Sequence, residues 1–415
     1  MKNATRLLGL TLASAVLLAG CGVNNAPRVA EATGKVYFKP SDFTAAGVSK
    51  KQLVVKLAGR AVPQSLTRQG ANGPKVTSKI QSLQTLVVDV APGQDIGALL
   101  KELRADKAVA YAEPTQRVEL EKEINDPKAG QQYSLKVTNT AAAWDVNPGT
   151  AKTIVAIVDS GIDMNHPDLK AKIVPQSYNT LDKSNNPKDD HGHGTHCAGI
   201  AAAIADNAEG IAGVAPGVGL MAVKVLDARG GGSDATIAEG VVYATDNGAK
   251  VISMSLGLYK RSKVIEDALQ YALDHDVTLV ASAGNNNAEN DPVAKPHLPS
   301  THPGVIEVAA TDDKDAKAKF SNFGKTVSVA APGVNILSTL PTYSVGRDLN
   351  YGMMSGTSMA APFVAGLAGL VRSQHPGLTQ AQVKAKIEAA ADDLGAKSFD
   401  TIFGHGRVNS LNAVK

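Results

Sequence analysis

Cysteine is scarce in this 415-residue chain: there are two, Cys21 and Cys197, and Cys21 lies at the end of an apparent export signal. The body of the protein would then carry a single thiol, which excludes an internal disulfide framework. Charge of one sign is lacking as well. With 42 basic and 39 acidic residues the net charge is +3, so composition points to neither a nucleic-acid groove nor a polybasic membrane patch. The apolar stretch at 7–18 is too short to read as a bilayer-spanning helix. Two chemical signatures are missing. No HExxH accompanies the histidines, and no GxxxxGK[ST] accompanies the glycine run at 230–232, which argues against a zinc hydrolase and a phosphate loop. What remains, at 43% hydrophobic residues and a mean hydropathy of −0.08, suits a globular protein with one large and one smaller domain.

Residues 1–20 follow the order of a secretory signal: Lys2 and Arg6, the apolar stretch, then the small residues Ala19 and Gly20. The tetrad Leu18-Ala19-Gly20-Cys21 resembles a bacterial lipoprotein box, in which the cysteine is acylated and becomes the new amino terminus. An ordinary cleaved signal with a coincidental cysteine is the plainer alternative. Either reading takes the protein out of the cytoplasm. Residues 21–34 are small and polar without periodicity, a tether. A compact unit follows over 35–120, with strand patterns at 52–57, 85–90 and 108–112. A helical pattern at 95–103 places Ile96, Leu99, Leu100 and Leu103 on one face, giving a small α+β unit. The charged stretch 119–127 (ELEKEINDP) marks its boundary.

From 126 to 415 the pattern changes to apolar runs at 153–158, 220–226, 251–256, 278–281, 305–310 and 327–330. Helical patterns lie between or after them at 236–247, 264–274, 360–372 and 380–391. Strands that are apolar on both faces imply a mostly parallel sheet covered by helices on both sides, an α/β fold. Such sheets bind ligands beyond the carboxyl ends of their strands, where the polar motifs of this sequence fall.

Three segments carry the chemistry. In 154–163 (IVAIVDSGID), Asp159 closes a strand, where a lone carboxylate is often only a cap. In 189–199 (DDHGHGTHCAG), His191, His193 and His196 crowd before a helical run at 200–205. They suit a general base at a helix mouth better than a metal site, for which a distant ligand motif is wanting. In 355–362 (SGTSMAAP), Pro362 is tolerable within a first helical turn and not deeper, which puts Ser358 at or near a helix N-terminus. Exposed N–H groups there favour a developing negative charge, although a capping serine would look the same.

Together these windows resemble the subtilisin-like serine peptidases over the stretch from Asp126 to the carboxyl end, in the family's order Asp, His, Ser. The thermitase-like branch is the nearest in pattern, through Asn125-Asp126-Pro127, Trp144-Asp145, the HGTHCAG string with Cys197, and Gly406-Arg407-Val408-Asn409. The resemblance implies a catalytic Asp159, His193 and Ser358, with Asn285 as the side-chain donor to the oxyanion. It implies that Gly230, Gly231 and Gly232 face Ser255, Leu256 and Gly257 across an extended peptide. The primary pocket would lie between 255–257 and 281–284, free of acidic residues, with His297 near its floor.

Structural calcium is implied too, at Asp126, Asp168 and Asn207 with carbonyls near Ala205, Glu209 and Ile211. A second site at Asn179, Asp182 and Ser184 is poorer in carboxylates than the family pattern wants. Residues 35–120 would be a propeptide that assists folding and blocks the cleft. The expected partners are peptide substrates, this propeptide and, through Cys21, a membrane for the precursor, but no nucleic acid. Two rivals are a catalytically dead peptide-binding relative, which would need a broken triad that is not seen, and a metallohydrolase using the three histidines.

Overall fold

The computed structural model of the protein describes residues 48–67, 73–116 and 124–415, in two compact units divided after Leu120. The signal, the tether and Cys21 lie outside the described residues.

The amino-terminal unit contains β1 (Val48–Leu57), α1 (Gln64–Thr67), β2 (Lys75–Ile80), β3 (Thr85–Asp89), α2 (Ile96–Ala105) and β4 (Val109–Gln116). Its antiparallel sheet has the order β2-β3-β1-β4. Leu99, Leu100 and Leu103 of α2 bury against Leu53, Val55, Leu86 and Val88, so the expected helical face is the one that forms the core. Asp95 caps this helix by accepting from the Gly97 N–H at 2.8 Å. The sequence pattern does not predict β2. All six of its residues (KVTSKI) are exposed, so no burial pattern marks it.

The larger unit opens with two short helices, α3 (Tyr133–Val137) and α4 (Thr140–Trp144). Then come β5 (Ile154–Asp159), β6 (Tyr178–Asn179), α5 (His193–Ala202), β7 (Gly219–Lys224), α6 (Asp234–Asp246), β8 (Ala249–Met254), α7 (Lys263–Asp274), β9 (Thr278–Ser282) and β10 (Glu289–Asn290). It closes with β11 (Ile306–Thr311), β12 (Phe323–Gly324), β13 (Val327–Pro332), β14 (Ile336–Thr339), β15 (Tyr351–Met354), α8 (Thr357–Gln374), α9 (Gln380–Ala389) and α10 (Ser410–Val414). Seven strands form one all-parallel sheet in the order β13-β11-β9-β8-β5-β7-β6.

Alternate residues of these strands feed two cores. Val155, Ile157, Leu220, Val251, Val280 and Val308 pack with α5 and α8 on one face. Ala156, Val158, Met221, Ile252, Met254 and Leu279 pack with α6 and α7 on the other. The expected α/β architecture with helices on both faces is therefore what forms, because each strand buries both its odd and its even side chains.

Candidate active site

The order of the strands reverses about β5: β7 pairs on one side of it and β8 on the other. Crevices open at such switch points beyond the carboxyl ends of the strands. Asp159 is the last residue of β5 and is buried, and His193 is the first residue of α5. The helix therefore starts earlier than the apolar run at 200–205 suggested. His193 Nδ1 and Asp159 Oδ1 are 2.8 Å apart. Burial disfavours the charged imidazole, but the charge and hydrogen bond of Asp159, together with Cys197, hold the ring well above the ordinary histidine value.

A second acid, absent from the sequence reading as a site residue, aligns these two. Asp189 is fully buried; its Oδ1 accepts from Ser160 Oγ (2.9 Å) and from the backbone N–H of His191 and Gly192, and its Oδ2 accepts from the N–H and hydroxyl of Thr195. It thus ties the end of β5 to the first turn of α5. The available signal was an acid shortly before a helix start, the position of a cap. The approach is close enough that a Cβ on Gly194 would lie 2.1 Å from the Gly161 carbonyl oxygen. Only glycine fits there.

Ser358 is the second residue of α8, as expected of a serine at a helix start. Pro362, however, is the sixth residue, beyond the first turn where the sequence reading put it. A proline there leaves the carbonyl four residues back, that of Ser358, without its helical donor. The structure supplies two others: Ser255 Oγ donates to the Ser358 carbonyl at 2.8 Å and Cys197 Sγ at 3.4 Å. The proline is tolerated because its missing bond is replaced from two neighbouring elements. The Ser358 hydroxyl is turned to the Ser255 carbonyl at 3.4 Å, and rotation about Cα–Cβ would swing it away from that partner.

Asn285 follows Gly284 just past β9. Its Oδ1 accepts from both the N–H (2.8 Å) and the hydroxyl (2.9 Å) of Thr357, which fixes the carboxamide so that Nδ2 faces the serine side. A Cβ on Gly356 would lie 3.5 Å from Asn285 Nδ2 and 3.5 Å from the Ser358 N–H nitrogen. Glycine keeps open a space on which two donors converge, the arrangement an oxyanion requires.

The family description of subtilases matches residues 150–406, and that of the fervidolysin N-terminal prodomain matches residues 48–115. The chain belongs to the subtilase family. It is 43% identical over 292 residues to thermitase of Thermoactinomyces vulgaris, covering 70% of this chain and 99% of thermitase. It is 41% identical over 321 residues to a thermophilic serine proteinase of Bacillus sp. strain AK1, covering 77% and 76% of the two chains. Among solved structures, a protease from Pseudoalteromonas arctica superposes with a TM-score of 0.65 at 30% identity, over 71% of this chain and 99% of that one. Fervidolysin from Fervidobacterium pennivorans superposes at 0.63 and 28% identity, over 88% and 61%. This subtilase is a subtilisin-like serine endopeptidase with an N-terminal prodomain.

In this subtilase a cleft of about 650 Å³ runs from His193 between Gly230-Gly231-Gly232 and Ser255-Leu256-Gly257, with Leu226 and Ile237 at its base. The glycines form a turn on Asp227: the Gly230 N–H donates to its carbonyl and the Gly231 N–H to its carboxylate. The three crowded histidines do not converge. His193 is paired with Asp159, His196 Nε2 lies 3.1 Å from the Gly352 carbonyl, and the His191 ring is centred 6.2 Å from that of His193.

The expected calcium residues do come together. Asp126 accepts from the N–H groups of Asp206 and Asn207, and Asp168 accepts from Asn207 Nδ2 (2.8 Å), the Ile211 N–H (3.0 Å) and the Tyr351 hydroxyl (3.2 Å). Among the described residues neither acid has an ion pair. Burial pushes the Asp168 carboxyl up to about 6, and the like charge of Asp126 adds to this. Two crowded, buried carboxylates in an oxygen-rich loop fit a hard cation. The region of the poorer second site differs. There Asn179, Asp182 and Ser184 each use a side-chain oxygen to cap the local turn, accepting from Leu181, Ser184 and Asn186 N–H groups.

Proposed function

We propose that this subtilase is exported as a precursor and cuts peptide bonds through an acyl-enzyme, with Ser358 as nucleophile, His193 as general base and acid, and Asp159 as the carboxylate that orients and stabilises the imidazole. The observation that carries the reading is the 2.8 Å contact between His193 and a buried Asp159, next to Cys197, whose sulfur lies 3.9 Å from His193 Nδ1 and 3.4 Å from the carbonyl oxygen of Ser358 at a helix start. The Ser358 Oγ adds to the scissile carbonyl carbon while its proton passes to His193 Nε2. The carbonyl oxygen takes the negative charge, met by Asn285 Nδ2 and the Ser358 N–H. Collapse breaks the C–N bond, and the proton moves from Nε2 to the leaving amine. Water then repeats both steps against the ester and frees Ser358.

Asp126, Asp168 and Asn207 would hold calcium, which supplies a rigid, charge-neutralising clamp on the loop that carries Asn207. Chelation is expected to lower the melting temperature, and Asp168→Asn to abolish that response to calcium. Residues 35–120 would be the inhibitory propeptide, removed by the same serine. Cys21 would anchor the precursor in a membrane, and propeptide removal would release the catalytic unit.

The test is Ser358→Ala in a host without other secreted proteases. The expected result is accumulation of full-length precursor with the membrane fraction, no labelling by a fluorophosphonate, and soluble mature enzyme from the unaltered chain. Normal maturation of the variant would overturn self-processing. An intact mass without lipid on Cys21 would overturn the anchor alone.

A further inference from the structure

Behind the cleft a second histidine is wired to a second buried acid, and the established family chemistry does not use it. Leu258 and Leu298 pair their backbones at 2.9 and 3.0 Å, which lays the 297–301 turn against the 255–257 segment. His297 is 3% exposed. A Cβ added to Gly257 would lie 2.3 Å from His297 Nε2, and one added to Gly284 would lie 3.1 Å from it. The nitrogen therefore sits between Gly257 and Gly284, on the two segments that the family resemblance makes the walls of the primary pocket, at the point both glycines leave open. The Tyr259 ring packs on the imidazole with centroids 4.7 Å apart, and its hydroxyl oxygen lies 2.8 Å from the same Gly284 Cβ position.

The far side of the ring fixes its tautomer. His297 Nδ1 is 2.9 Å from Ser300 Oγ, which is 3.0 Å from Glu307 Oε1 on β11, a residue with no exposure. Ser300 has one hydroxyl proton, for which the Glu307 carboxyl oxygen and the His297 carbonyl, 2.9 Å away, are the acceptors. Ser300 must then receive the Nδ1 proton, leaving Nε2 bare as an acceptor toward the pocket. Tyr259 already accepts from Asn322 Nδ2 at 3.4 Å, so its own O–H is free to donate.

We propose, building on the serine-peptidase reading, that His297 determines the primary specificity: the floor presents an acceptor at Nε2 and a donor at the Tyr259 hydroxyl, complementary to a carboxamide, so the enzyme prefers to cut after glutamine or asparagine. The substrate NH₂ donates to Nε2 and its oxygen accepts from Tyr259. A carboxylate in the same place has no proton to give the imidazole, and burial keeps His297 neutral, with its proton affinity lowered to about 4. A thioether of the same length offers neither bond, and leaves the buried nitrogen unpaired.

The experiment compares kcat/KM of the mature enzyme on tetrapeptide anilides identical except for glutamine, glutamate or methionine before the scissile bond. Glutamine is expected to exceed methionine by roughly fivefold to tenfold, the worth of one to two hydrogen bonds, and glutamate to be the poorest. His297→Ala and, independently, Ser300→Ala should bring the glutamine-to-methionine ratio to one or below. Methionine at or above glutamine in the unaltered enzyme, glutamate above glutamine, or a ratio that survives His297→Ala would each overturn the proposal. Fluorophosphonate labelling of Ser358 and hydrolysis of the methionine anilide report the peptidase reading separately, since neither depends on the pocket floor.

Discussion

His193 lines the cleft with Ser255, Leu256 and Gly257, and His297 packs against Gly257; each is backed by a buried acid, yet they are driven in opposite directions. Burial acts on His193 too, but Asp159 touches its ring directly, and the charge and hydrogen bond of that acid, together with Cys197, overcome burial and raise the proton affinity. Glu307 meets His297 only through the Ser300 hydroxyl, and there burial wins. One intervening hydroxyl separates an imidazole built to become charged from one built to stay neutral. A carboxylate nearby is therefore insufficient to identify a catalytic histidine; what decides is direct contact.

The sharpest way to break the comparison is Asp159→Asn, which should cost roughly 10⁴ in kcat, the scale for losing the orienting acid of such a triad. The base must be neutral to act, so activity is present above the His193 proton affinity and is lost as pH falls through it. In the unaltered enzyme that acid limb lies above the ordinary histidine value of 6.5. In the variant it should move down, toward the behaviour of His297. A pH–rate profile with an unmoved limb would mean that Asp159 does not set the base. Next in size is Asn285→Ala, whose residue joins the two regions: its backbone follows the Gly284 wall and its amide faces Ser358. Removing an oxyanion donor should lower kcat by about 10²–10³ and leave KM within a few-fold. A KM effect without a kcat effect would reassign Asn285 to the pocket.

Much of this could be read in the sequence because the proposed triad residues sit where local signals are strong. Asp159 ends an apolar strand, His193 begins a helix, and Ser358 precedes a proline inside an apolar helix. The parallel sheet was legible for a similar reason, since runs such as 220–226 are apolar at every step except Lys224. Features built from contacts between distant segments could not be read. The exposed β2 has no burial pattern, β14 and β15 are four residues each, and Asp189 looks like any acid in a polar loop. Pro362 lies a turn deeper than its local sequence suggests because the hydroxyl and thiol that replace its missing donor come from residues 103 and 161 positions from Ser358. The His297–Ser300–Glu307 chain needs a turn and a strand to meet, and only folding brings them together.

A smaller effect tests the acid behind His297. Burial raises the Glu307 carboxyl above its ordinary value of 4.5, and a raised folded-state acid contributes stability below that value that is lost as pH rises through the folded one. Glu307→Gln keeps an oxygen for Asn290 Nδ2 and Ser300 Oγ while removing the charge. The variant should melt higher than the unaltered protein at pH 8, and the gap should close near pH 4 on thermal scans. A lower melting temperature at both pH values would mean that the carboxylate itself is needed by the Ser300 relay.

The smallest expected effect lies at Cys197, whose sulfur is 3.9 Å from His193 Nδ1 and donates to the Ser358 carbonyl. Burial raises its thiol proton affinity, so the neutral thiol acts as a small hydrophobe and a weak donor beside the triad. Its carbonyl partner keeps the stronger Ser255 bond at 2.8 Å if the sulfur is removed. Cys197→Ala should therefore lose less than about tenfold in kcat/KM, the worth of one weak hydrogen bond and a small cavity. A mercurial bound to the sulfur would press on the imidazole and on the start of α8 at once, so it should inhibit the unaltered enzyme and spare the variant. Continued inhibition of Cys197→Ala would place the mercurial elsewhere, and a loss approaching that of Asp159→Asn would show that the thiol, and not direct carboxylate contact alone, sets the base apart from His297.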